Sequence, residues 1–141
     1  MVTLPVLNPV VHEPDDFEHD PELVLAHVTC VINDLLRATE KDQWPGRELH
    51  SLVDCLREGV LERVAHEERE FIDVDEADHS VAHLKRDHVR LRAATEVMAR
   101  AAAGEGTTSP AHVAALSRAL LMQLRRHLRA ERALRPRANR R

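Results

Sequence analysis

The chain has 141 residues and a formal net charge of −4, with 43% hydrophobic and 31% charged residues. That balance fits one folded domain around a single core, and the acidic excess argues against a general nucleic-acid binder. Aromatic residues make up only 2% and tyrosine is absent, so the core must be built from Leu, Val and Ala, which favours helices, and neither a phenolate ligand nor a tyrosyl radical is available.

Residues 1–19, proline-rich and then acidic, read as an extended N-terminal arm. Met1–Val11 is mildly apolar but is interrupted by Pro5 and Pro9 and follows no basic region, so no signal peptide is expected. No stretch is apolar enough to span a membrane, and the expected location is the cytoplasm. Asp20-Pro21, Trp44-Pro45 and Ser109-Pro110 each place a proline near a first helical position, where its missing N–H costs nothing. Asp78, after the acidic loop 72–77, is the expected fourth start. The helices then run from about Pro21 to Asp42, Gly46 to Phe71, His79 to Ala103 (ended by Gly104-Glu105-Gly106), and Pro110 to Arg135 (stopped by Pro136). Four segments of similar length with short connections predict an all-α, up-down-up-down four-helix bundle over 20–136, with a basic tail at 137–141. Cys30 and Cys55 both fall within helical patterns and read as reduced core residues, with a bridge left open should the two helices touch.

The apolar stripes carry the functional argument. The first helix reads Val24, His27, Val31, Leu35, Ala38; the second Leu49, Leu52, Leu56, Val60, then Arg63, Glu67 and Glu70, with His66 beside Glu67. The third reads Val81, Leu84, His88, Leu91, Thr95, Met98, and the fourth Val113, Leu116, Leu120, Leu124, His127, Glu131, Leu134. Each helix thus sets one histidine on or beside its inward face. In two of them a glutamate follows four residues later, as His66–Glu70 and His127–Glu131. Residues four apart on a helix are separated by about 40° and one turn, so imidazole and carboxylate can approach one ion. A buried carboxylate must be neutralised, paired or bound to metal. A single His–Glu pair of this spacing is common on charged helix surfaces. Four helices showing the pattern together point to a metal centre, and histidines with acids in a bundle core suit iron, zinc or manganese, a pair of irons best. His12, His19, His50 and His112 read as surface residues.

These residues resemble the haemerythrin-like (HHE cation-binding) domain family. His66-Glu67-Glu68-Arg69-Glu70 is similar to that family's second-helix motif, and the run from His127 through Glu131 to Leu134 and Pro136 to its fourth-helix motif. His27 and His88 stand where the family places its first- and third-helix ligands. The resemblance covers about Asp20 to Pro136. It implies a di-iron centre with two iron ions, oxo- or hydroxo-bridged, held by His27, His66, Glu70, His88, His127 and Glu131, with Glu67 as an additional ligand. His83 is a further candidate, although it lies about 140° around the helix from His88. Two other metal motifs do not match. A zincin would need histidine in place of Glu70, and a ferritin-like site needs paired Glu-x-x-His motifs, whereas the one match is Glu76 before His79.

Three functions stay open. One is a small haemerythrin-like protein that binds or reacts with O2, peroxide or nitric oxide, for sensing, storage or scavenging. The second is a di-iron oxidase or oxygenase acting on an organic substrate, an oxidoreductase. The third is a metal-free interaction module using its arginine-rich end. Carboxylate-rich ligation favours ferric iron and oxidation chemistry over reversible carriage. The arginines from Arg125 onward are expected to be a solvated helix face rather than a phosphate-binding site.

Overall fold

The computed structural model describes residues 20–70, 79–106 and 108–139, with the side chains of residues 79–80 and 134–139 excluded. The expectations for the arm 1–19, the loop 72–77, the Asp78 cap and the side chain of Leu134 lie outside the described residues. The chain forms helices α1 (Pro21–Glu40), α2 (Gly46–Cys55), a π-helical turn (Leu56–Leu61), α3 (Glu62–Glu70), α4 (His79–Ala102) and α5 (Pro110–Asn139). Among the described residues there is no strand, and no helix is long and apolar enough to cross a membrane. The segment α2–π–α3 is one rod, so among the described residues four helical rods make a bundle. Helix α1 packs on α2 and α5, and α4 packs on the same two.

The helix ends follow from local chemistry. Asp20 accepts a hydrogen bond from Glu22 N at 2.9 Å with Pro21 behind it, and Ser109 Oγ accepts one from His112 N at 3.1 Å with Pro110 behind it. Pro45 occupies the cap position of α2 without a side-chain bond. Two C-termini close in the same way. After α4, Gly104 has φ +77°, and Gly104 N and Glu105 N donate to Ala101 O and Arg100 O. After α1, Asp42 takes the equivalent place at φ 56°, with Asp42 N donating to Thr39 O and Gln43 N to Ala38 O. The left-handed residue lets the chain turn back on its last carbonyls. Helix α1 therefore ends at Glu40 rather than Asp42. Helix α5 passes through Pro136 to Asn139 instead of stopping there; the proline removes one donor, and its fixed φ is itself helical.

Two stripes differ from the periodicity reading. In α1 the buried residues are Val28, Ile32 and Leu35, each fully buried, while His27 faces solvent. Steps of three and four allow either 24-27-31-35 or 24-28-32-35. The second buries Val28 and Ile32 where the first would bury an imidazole and Val31, and each large aliphatic group removed from water gains about 1.5–3 kcal/mol. In the second rod the buried residues Leu52, Leu56, Val60 and Val64 succeed one another at steps of four. In a regular α-helix three such steps would carry the last about 120° off the stripe. The π turn, with its wider i→i+5 bonding, takes up that drift. Beyond it the inward face is Arg63, Val64 and Glu67, and Glu70 is turned out. Gly59 sits in this turn where α1 comes close, since a Cβ there would lie 3.4 Å from Val24 Cγ1. The stripes of α4 and α5 are buried as their periodicity predicts, from Val81 through Met98 and from Val113 through Glu131, with Leu116 half-buried.

Both cysteines are free thiols; Cys55 is buried, but Cys30 is exposed and not a core residue, because the α1 stripe turns it outward. Burial, reinforced by the nearby Glu58 carboxylate, pushes the Cys55 thiol up to about 11. A thiol-alkylating reagent near neutral pH is expected to label Cys30 in the folded protein and Cys55 only on unfolding; equal labelling rates by mass spectrometry would contradict this packing. Asp42→Gly should raise stability by about 1 kcal/mol in denaturant unfolding, because glycine carries no steric cost in the left-handed region.

Candidate metal centre

Three rods meet around one carboxylate. Glu67, on α3, is fully buried. Its Oε1 lies 2.9 Å from His88 Nε2 on α4 and 3.1 Å from His127 Nε2 on α5. The two rings stand edge to face at 63°, centroids 5.1 Å apart, and the exposures of His88 and His127 are only 2% and 3%. One ligand atom from each of Glu67, His88 and His127 lies within 4.8 Å of the others, a spacing compatible with one shared ion.

Each imidazole is also held from behind. His127 Nδ1 is 3.2 Å from Asp87 Oδ2, and His88 Nδ1 is 3.1 Å from Glu68 Oε2. Asp87 is itself buried, while Glu68 lies at the surface, clamped by both terminal nitrogens of Arg92. With each Nδ1–H donated to a carboxylate, each Nε2 faces Glu67 either as a proton donor or as a bare lone pair opposite another lone pair. The second arrangement is repulsive unless a cation lies between. Histidines that ligate metals are commonly oriented by a carboxylate on the other ring nitrogen in this way. The donor set and its orientation fit a divalent ion.

Among the described residues the remaining buried charges are Glu131 and Arg63. Glu131, one turn after His127 on α5, is 1% exposed. Arg63 pairs through a terminal nitrogen with Glu131 Oε1, and its Nε lies 3.2 Å from Glu67 Oε2. Burial, joined by the hydrogen bond to Glu67 and that group's negative charge, pushes the Glu131 carboxyl up to about 7 against the pull of Arg63. Glu67 is held well below the usual carboxylate range: burial alone would raise it, and the hydrogen bonds from His127 and His88 outweigh that. Burial would likewise lower His127, but Glu67 and Asp87 together raise it. Beside this group is a cavity of about 20 Å³ lined by Val24, Leu25, Leu91, Leu124 and Leu128 together with Glu67, His127 and Glu131. By volume that is space for about one water-sized species.

Of the residues named from sequence, the structure brings together Glu67, His88, His127 and Glu131. His27 lies on the solvent face of α1, contrary to the inward position expected of it. His66 and Glu70 pair with each other at 3.6 Å, each side chain about a third exposed, at the edge of the bundle rather than within it. His83 is exposed, 3.7 Å from Asp87. Sequence reasoning gave Asp87, Glu68 and Arg63 no role at the site. Asp87 had a signal, since it lies three after Leu84 and four before Leu91 on the inward stripe. Glu68 had none, because its use depends on α4 lying alongside α3.

No family model matches the chain, and no match was found among curated proteins or among solved structures.

The charge pattern fixes a pH dependence for the metal-free protein. An acid raised from 4.5 to about 7 contributes stability that is full below 4.5 and is lost as pH rises towards 7. His127, raised above its ordinary 6.5, acts in the same direction at higher pH, whereas the depressed Glu67 acts only below 4.5. Metal-free protein should therefore lose stability from pH 4.5 to 7, and Glu131→Gln should flatten that slope in urea titrations. An unchanged slope would remove Glu131 from this role.

Proposed function

We propose that this chain is a non-haem iron protein of the haemerythrin-like kind that binds or reacts with O2, peroxide or nitric oxide, in sensing, storage or scavenging. One observation carries the reading: two imidazole Nε2 atoms converge on a single buried carboxylate oxygen, each ring anchored behind by a second carboxylate. Two imidazoles and a carboxylate form a donor set associated with ferrous iron that keeps open positions. Iron so held supplies a redox-active ion with room for a small ligand. The chain's own part is to keep both Nε2 atoms aimed inward, to hold the compensating charges, and to line the adjoining space with the apolar side chains of Leu91, Leu124 and Leu128.

A pair of irons, as the family resemblance implies, would draw also on His27, His66 and Glu70, whose side chains would have to turn inward. The size of the cavity favours a ligand of a few atoms over an organic substrate, which weighs against an oxidase or oxygenase of larger molecules. Zinc and manganese accept the same donors, so metal analysis is the deciding experiment.

Protein from iron-supplied cells should carry about one iron or more per chain, since a site of this kind binds its ion with the fold. His127→Ala and Glu67→Gln should each lower metal affinity by at least about tenfold, while His27→Ala should leave it unchanged. Iron absent from the purified protein, or retained in full by His127→Ala, would sink the proposal.

A further inference from the structure

Arg63 is a permanent cation enclosed in the bundle, 7% exposed, and it reaches both acids of the centre. A guanidinium does not lose its proton in a protein, so its charge must be counted as fixed. Glu67 divides its two oxygens: Oε1 faces the two histidines and Oε2 faces Arg63 Nε. Glu131 turns Oε1 to the same guanidinium. A carboxylate bridging two ions through both oxygens would offer Oε2 to the second, and in Glu67 that oxygen has a fixed positive charge 3.2 Å away at Arg63 Nε.

We infer that Arg63 is the built-in second cation of this centre, so that the site takes one divalent ion and not two. This rests on the metal-site reading above and specifies its stoichiometry. Charge supports it. Among the described residues the buried carboxylates are Glu67, Asp87 and Glu131, which in ionised form are balanced by one guanidinium and one divalent ion with neutral imidazoles. Donors support it too. His66 lies 3.6 Å from Glu70 at the edge of the bundle, and His27 is on the outer face of α1, so neither stands among the buried donors. The neighbouring cavity, about 20 Å³, adds space for one water-sized species. The π turn contributes to this, because beyond it Arg63, Val64 and Glu67 face inward while Glu70 is left out.

The test is Co2+ binding to the full metal-free chain, by equilibrium dialysis with metal analysis, repeated with Fe2+ under anaerobic conditions. The wild-type chain should saturate at one ion. Arg63→Gln removes the repelling charge and should bind the first ion at least about tenfold more tightly, whereas Arg63→Lys, which keeps the charge, should stay near wild type. Two ions per wild-type chain would overturn the inference while leaving the metal reading intact. No ion at all would overturn both. Wild-type affinity in a folded Arg63→Gln variant, checked by circular dichroism, would remove Arg63 from the account, and if that variant does not fold the wild-type stoichiometry alone still decides.

Discussion

Glu67 is a fully buried carboxylate around which His88, His127 and Arg63 are all arranged. An isolated ion in that position would cost several kcal/mol in lost hydration, which only close, well-oriented cations and hydrogen-bonding groups can offset. The bundle supplies them from three rods. The guanidinium comes from one turn earlier on α3, and the imidazoles come from α4 and α5. Because the partners are spread over different helices, the electrostatic requirement of one side chain becomes a constraint on how the rods pack.

The apolar core and the polar centre divide the length of the bundle. Val28, Ile32, Leu35, Leu49, Leu52, Leu56, Met98 and Val113 form an aliphatic region that contains almost no polar side chains beyond Thr95 and Ser117. Thr95 satisfies its hydroxyl on Leu91 O, one turn back. Towards the C-terminal parts of α3 and α5 and the first half of α4, histidines and acids take the inward positions without breaking the three-and-four spacing. Leu91 and Leu124 belong to the core and also line the cavity at the centre, so they join the two regions. Such a polar group in a low-dielectric setting is stabilising only when its members are mutually satisfied.

The carboxylates behind the histidines differ in kind. Asp87 is buried and engages His127, so the ring's orientation is set within the core. Glu68 is partly exposed and held by Arg92, which lowers its carboxyl below the ordinary range chiefly through the hydrogen bond from the guanidinium. His88 is therefore steadied by a surface ion pair and His127 by an interior one. Screening by salt acts strongly on the first and weakly on the second.

What the sequence determined by itself was the helical content, the caps at Asp20, Ser109 and Gly104, and the inward stripes of α4 and α5 with His88, His127 and Glu131 on them. These depend on local propensity and on a period that side chains of one helix express without their neighbours. Tertiary structure decided the rest. In α1 two registers of equal spacing were available, and the partner rods chose Val28 and Ile32 over His27 because apolar burial outweighs imidazole burial. In the second rod the spacing already set Arg63 and Glu67 inward, and the π turn, absent from any local periodicity, added Val64 to that face and turned Glu70 out. The roles of Asp87, Glu68 and Arg63 arise only from α3, α4 and α5 lying side by side, since a hydrogen bond or ion pair across 20 to 68 residues of chain is not written in the spacing of any one helix.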